Sequence, residues 1–177
     1  MSLELPTDRL LIREWEPGDA EAALRIYGAE DVARWLTPEW HPVTGIQEMR
    51  SILRAWIEAS PNLVPPAGCW AVVRGDDGAL VGGLSVKQLP PFDEDFELTW
   101  ALRPDQWGKG YATEVGRAII EWAFEQGLEE IFAVARPDNE PAIAVARRLG
   151  MEWVGETEKY YGMTLQVFRL RPAGQEP

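Results

Sequence analysis

A chain of 177 residues, 46% hydrophobic and 26% charged, suits one domain built on one core. Its formal net charge of −12 argues against nucleic-acid binding, which needs clustered basic residues, and is compatible with a cationic partner drawn to an acidic surface or with solubility alone. Cys69 is the one cysteine and His41 the one histidine, which excludes an intrachain disulfide, a site built from several histidines and a cysteine-rich zinc site. No basic, apolar leader stands at Met1–Leu11 and no apolar run is long enough to span a bilayer. The expectation is a cytoplasmic protein, a monomer or homodimer, with no metal and no membrane partner. Most of the nine tryptophans are expected in the core or at its rim, and some along a pocket.

Leu3 to Thr7 reads as a lead-in, and Arg9 to Trp15 as a first strand. Pro17-Gly18-Asp19 marks a turn with Asp19 as N-cap, and the helix that follows ends near Gly28. Asp31 to Pro42 reads as a short helix or turn followed by a loop. Gly45 to Ser60 has apolar residues at spacings of three and four, which predicts a helix stopped by Pro61, Pro65 and Pro66. Cys69 to Arg74 and Leu80 to Gln88 are predicted strands joined through Asp77-Gly78. Gly82-Gly83 within the second suggests a bulge or a close backbone approach. Asp95 to Leu102 alternates, with Phe96, Leu98 and Trp100 on one face and Glu97, Thr99 and Ala101 on the other, which completes an antiparallel meander. A helix over Ala112 to Gln126 ends at Gly127, and a short buried strand follows over Ile131 to Ala135. A strand–helix–strand unit of this kind predicts parallel pairing. A second helix begins near Pro141 and closes at Gly150; Glu152 to Tyr161 and Met163 to Leu170 are predicted final strands, joined around Gly162, and Pro172 to Pro177 a frayed tail.

The stretch Pro104 to Ala112 lies between the alternating strand and the long helix. A glycine-rich turn entering a helix N-terminus collects free N–H groups and partial positive charge, so it suits a phosphate or pyrophosphate. Lys109 adds a mobile cation or is simply exposed. Gly108-Lys109-Gly110 lacks the spacing of a Walker A loop. A dinucleotide site would place Glu129 or Glu130 after the next strand, whereas both precede it.

Gln106-Trp107-Gly108-Lys109-Gly110-Tyr111-Ala112 resembles the Gln/Arg-x-x-Gly-x-Gly/Ala loop of the GCN5-related N-acetyltransferases (GNAT family). Trp-Gly-Lys-Gly-Tyr-Ala-Thr-Glu is similar to the branch that includes the ribosomal-protein N-terminal acetyltransferases (RimJ/RimL-like). Thr7-Asp8-Arg9-Leu10-Leu11-Ile12-Arg13, Phe96 to Leu102, Arg136-Pro137-Asp138-Asn139-Glu140 and Arg148-Leu149-Gly150-Met151 agree in order and spacing, so the likeness spans nearly the whole chain. It implies an α/β (α+β) fold: a mixed, mostly antiparallel sheet with helices on both faces, splayed between Asp95–Leu102 and Ile131–Ala135. It also implies acetyl-CoA in the splay. The pyrophosphate would lie on the backbone of Trp107 through Ala112, the pantetheine arm along Trp100, Ala101 and Leu102, and Asn139 near the thiol.

Acetyl transfer to an amine needs a base for the ammonium, donors for the oxyanion and a proton for the leaving thiolate. Glu97 is the candidate base, with a solvated or salt-bridged strand carboxylate as the alternative. The two positions where relatives carry a hydroxyl are Ala142 and Ala146 here, so the acid is open: Tyr160, Tyr161 or water. No covalent intermediate is required, and Cys69 reads as a strand residue. By the same resemblance Trp35, Trp40 and His41 lie in the segment covering the acceptor cleft, with His41 a loop residue, while Trp56 and Trp122 fall on core stripes. The leading function is N-acetyl transfer from acetyl-CoA to a primary amine, either a protein N-terminus or a small amine, cationic ones included. The alternatives are a non-catalytic acyl-CoA-binding module and a nucleotide-binding enzyme.

Overall fold

The computed structural model describes residues 2–36, 41–92 and 94–174. Trp40 therefore lies outside the described residues. Strands β1 (Glu4–Pro6) and β2 (Leu10–Glu14) are followed by helices α1 (Ala20–Tyr27), α2 (Glu30–Ala33) and α3 (Ile46–Ala59). Strands β3 (Gly68–Arg74), β4 (Leu80–Gln88) and β5 (Phe96–Leu102) come next, then α4 (Tyr111–Glu125), β6 (Ile131–Ala135), α5 (Glu140–Arg148), β7 (Glu152–Thr157) and β8 (Leu165–Leu170). They form one sheet in the order β1-β2-β3-β4-β5-β6-β8-β7.

Every neighbouring pair is antiparallel except β5 and β6. That exception follows from the α4 crossover, which returns the chain to the end of the sheet where β5 began. The parallel pair is made only at Glu97 and Phe132, so the two strands diverge beyond it. This divergence is the expected splay.

Alternation along the strands builds a core on each face. Leu84, Val86, Leu98, Trp70 and Val72 pack under Val115 and Ile119 of α4, Ala146 of α5 and Leu149 just after it. Ala71, Val73, Leu80 and Ala101 point the other way, onto Ala23, Ile26 and Tyr27 of α1 and Met49 and Leu53 of α3. The expected split of β5 holds: Phe96, Leu98 and Trp100 join the α4 face, and Ala101 the α1–α3 face.

Several local expectations are corrected. The lead-in forms the short edge strand β1, with Leu5 paired to Ile12. Asp19 is the N-cap residue of α1, as expected, but its side chain serves the preceding 3-10 turn Pro17–Asp19 instead: its carboxylate accepts from the Glu16 N–H at 2.8 Å, in a capping box, and from both terminal nitrogens of Arg13 at 2.9 Å. The final strands are shorter than expected: β7 ends at Thr157 and β8 begins at Leu165, and the turn between them includes Tyr161 at φ 56° and Gly162 at φ 65°. The turn between β7 and β8 is instead pinned to the β4–β5 loop: Tyr161 N–H donates to Pro90 O at 3.3 Å, and the Tyr160 phenol to Asp95 at 2.6 Å. This turn carries Tyr161 back to β5.

Candidate active site

The divergence of β5 and β6 opens a cavity of about 1270 Å³ that reaches both faces of the sheet. A single small-molecule site measures roughly 300–1,000 Å³, so the space suits two substrates together. One half lies along α4 and α5. The other lies under α1, α2 and α3.

The first half is built on the glycine-rich loop. Gly108 and Gly110 hold φ of 75° and 80°, the left-handed region that glycine enters without steric cost. Gly110 is the N-cap of the 15-residue helix α4, so the first N–H groups of that helix open toward the cavity side. The Trp107 indole N–H donates to Leu102 O at 2.9 Å and ties the loop to the end of β5, while its ring stays exposed. Gln106 is buried and accepts from Lys109 Nζ at 3.3 Å. Arg9 stands over the Tyr111 ring at 4.7 Å and pairs with Glu114 at 2.8 Å. Glu114 also accepts from the Thr7 hydroxyl at 2.6 Å and from the Arg9 N–H at 3.0 Å, which holds the turn before β2 against the first turn of α4. A helix N-terminus, two glycines in the left-handed region and a neighbouring guanidinium make a donor set that fits a pyrophosphate.

The second half is set by strand register. Cys69, Ser85 and Thr99 are direct neighbours across β3, β4 and β5, and Lys87 faces Glu97 in the next row. Ser85 and Thr99 share a hydrogen bond between their hydroxyls. Glu97 is 2% exposed and accepts from the Tyr161 phenol, with Lys87 Nζ at 3.8 Å. Burial pushes its carboxyl from 4.5 up to about 7, against the opposing pull of Tyr161 and Lys87. A carboxyl poised there can take a proton near neutral pH.

Of the residues predicted for the site, Glu97, Trp100, Ala101, Leu102, Gln106, Trp107, Gly108, Gly110, Tyr111, Ala112, Asn139 and Tyr161 line this one cavity. Two do not. The Lys109 ammonium folds back onto Gln106, and the Tyr160 phenol is directed to Asp95, where burial first and the carboxylate second push its titration upward. Asn139 has a structural duty besides: it caps α5 by accepting from the Ala142 N–H at 3.3 Å. Ala142 lines the cavity, whereas Ala146 is packed in the core under α4.

Trp35 lines the cleft as expected; His41 does not, being exposed and 3.2 Å from Glu48. Trp122 packs edge-on against Trp70 in the core, as expected of its stripe. Trp56 likewise packs half-buried against the core of its face, with ring centroids 5.4 Å from Trp15 and Tyr27, and it also lines the cavity. Cys69 lies on the cavity floor, with its thiol pushed up to about 12 by burial, so it stays protonated. Arg9, Glu114, Ser85, Lys87 and Thr99 were not singled out by sequence reasoning. The signal for Arg9 and Glu114 was present, since both stand inside the two resembling segments.

The family model for the acetyltransferase (GNAT) domain matches residues 9–152. An uncharacterized N-acetyltransferase of Bacillus subtilis, YnaD, is 29% identical over 159 residues, covering 89% of this chain and 87% of its own. A second Bacillus subtilis relative, described as a putative ribosomal N-acetyltransferase, YdaF, is 29% identical over 146 residues, with 81% and 78% covered. The crystal structure of a GNAT-family acetyltransferase from Bacillus anthracis superposes with a TM-score of 0.80 at 25% identity, covering 96% of this chain and 98% of that one. The splayed sheet, the glycine-rich loop at the head of α4 and these matches agree: the chain belongs to the GNAT acetyltransferases and is an acetyl-CoA-dependent N-acetyltransferase.

Proposed function

We propose that the protein moves the acetyl group of acetyl-CoA directly to a primary amine, with both substrates bound at once and Glu97 as general base. The observation that carries this reading is the position of Glu97: a buried carboxyl, pushed up to about 7, at the point where β5 and β6 part. The pyrophosphate takes the N–H groups at the head of α4. The pantetheine arm lies along β5 from Trp100 to Leu102, an edge that β6 leaves unpaired beyond Glu97. The amine enters from the α1–α3 side, gives its proton to Glu97 directly or through water, and attacks the thioester carbonyl. The tetrahedral intermediate carries a second surplus proton on its nitrogen; it collapses to the amide with release of the thiolate, and that proton passes to the sulfur by way of Tyr161 or water. Tyr161 touches Glu97 and lines the cavity, so its phenol is the candidate to protonate that thiolate. A thiol's reference pKa of about 8.5 makes this step undemanding, and water serves in its place.

The acceptor is a protein N-terminus or a small amine, and the putative ribosomal relative favours the first. The whole chain acts as one acetyltransferase domain, and its single cysteine and that relative favour a cytoplasmic location. Initial rates of CoA-thiol release with both substrates varied test the mechanism. Intersecting double-reciprocal lines and an unmodified protein mass are expected. Parallel lines with an acetylated chain would contradict direct transfer, and acetyl-CoA binding without amine-dependent release would favour an acyl-CoA-binding module.

A further inference from the structure

The α1–α3 side of the cavity has a floor of small polar residues and walls of large apolar ones. One row of the sheet, Ala71, Gly83 and Ala101, is covered by Tyr27 and Trp15. The adjacent row, Cys69, Ser85 and Thr99, also carries only small side chains and faces the cavity. Above it stand Trp35 and Leu36 at the end of α2, Trp56 on α3 and Leu63 beyond it. Leu63 and Val64 remain exposed at 41% and 77%, which extends the apolar surface outward. The row after that is Lys87 and Glu97, so the proton acceptor lies at one side of an aromatic-walled chamber.

The charge inside this half differs from that of the whole chain. Against a net −12 overall, its charged lining among the described residues is two acids, Asp31 and Glu97, and two bases, Lys87 and Arg136. Arg136 is directed across the cleft, its Nη2 donating to Leu36 O at 3.4 Å. A balanced lining gives no field to favour a polycation over other amines. The walls instead reward apolar contact area.

We infer that the acceptor is a primary amine whose adjoining carbon bears a large apolar or aromatic side chain, seated against Trp35, Leu36, Trp56 and Leu63 with its nitrogen toward Glu97. This rests on the acetyl-transfer reading above and narrows its acceptor. Trp56 is then a specificity-determining residue: its ring, braced by Trp15 and Tyr27, forms the fixed wall. The same chemistry is offered by a free amino-acid derivative and by a peptide beginning with such a residue.

The test is CoA-thiol release with glycinamide, methioninamide, phenylalaninamide and spermidine, and with tripeptides beginning Gly, Met or Phe. In at least one series kcat/KM is expected to be about 30-fold higher for the Phe or Met member than for Gly, and higher than for spermidine. Whichever series shows the preference identifies the form of the acceptor. Trp56→Ala is expected to reduce that ratio to below about 5-fold. Because Trp56 also packs on Trp15 and Tyr27, Trp35→Ala, outside that ring cluster, carries the same expectation. Equal rates for Gly and Phe acceptors in both series, preference for spermidine, or ratios unchanged in both variants would overturn the inference while leaving acetyl transfer standing. No release with any amine would overturn both.

Discussion

Glu97→Gln is expected to lower kcat/KM for the acceptor about 100-fold or more near pH 7.5, with the KM for acetyl-CoA little changed. The variant keeps the shape of the side chain and an oxygen for the Tyr161 phenol, and it removes the ability to take a proton. The pH dependence gives the sign. A base works in its unprotonated form, and the Glu97 carboxyl is pushed up to about 7 by burial, so the wild-type kcat/KM should rise with pH and level off above about 7. That limb should vanish in the variant.

Stability should move the other way. A carboxyl whose folded value is raised from 4.5 to about 7 holds its proton more tightly in the folded state. Its contribution is fully present below about 4.5 and is lost as pH rises through about 7. An uncharged amide in its place has no proton to lose over that range. Glu97→Gln should therefore unfold at nearly the wild-type denaturant midpoint at pH 4.5, and be more stable by up to about 3 kcal/mol at pH 8. Reduced activity with raised stability at pH 8 marks a functional burial. Reduced stability at both pH values would mark Glu97 as a structural residue.

Gly83→Ala is expected to cost about 2–3 kcal/mol and lower Tm by about 5–10 °C. A Cβ there would overlap Tyr27 Oη and come within 3.1 Å of Trp15 Cζ2. Tyr27 is buried and braced by Trp15 at 6.3 Å and Trp56 at 5.4 Å between ring centroids, so the ring cannot swing aside without moving its neighbours. Since Tyr27 and Trp56 both line the cavity, the same substitution should raise the acceptor KM. Tyr27→Phe removes the overlapping oxygen. In that background Gly83→Ala should cost at least about 1 kcal/mol less, a coupling that thermal melts of the four proteins would measure. A single variant that melts with the wild type would show that the ring cluster yields.

Both readings of Gly82-Gly83 made from the sequence describe this place. The β3–β4 register shifts between Val72, opposite Gly82, and Val73, opposite Leu80, and the Tyr27 phenol closes over Gly83. The sheet, its helices and the parallel β5–β6 pair were legible because each depends on local periodicity, turn chemistry and the length of one crossover. The loop from Gln106 to Ala112 was legible because a glycine turn before a helix is a local pattern with a local consequence.

What escaped depends on contacts distant in the chain. Tyr161 sits 64 residues beyond Glu97 and reaches it from the turn after β7, which ends at Thr157 where periodicity would have continued the strand. Trp56 falls on an apolar stripe at helical spacing, and spacing alone does not tell whether such a ring meets core or a cavity. Ser85 and Thr99 become a pair only through the β4–β5 register. Lys109 was a cation in the right loop, but its partner proved to be Gln106, three residues back.

The most direct measurement is a crystal structure of the protein with CoA. The expected result has pyrophosphate oxygens about 3 Å from the N–H groups at the head of α4, and the thiol in the gap between β5 and β6, open to the face where Glu97 lies. Phosphates held away from Gly108–Tyr111, or a thiol turned to the α4 face with no path to Glu97, would contradict direct transfer with Glu97 as base.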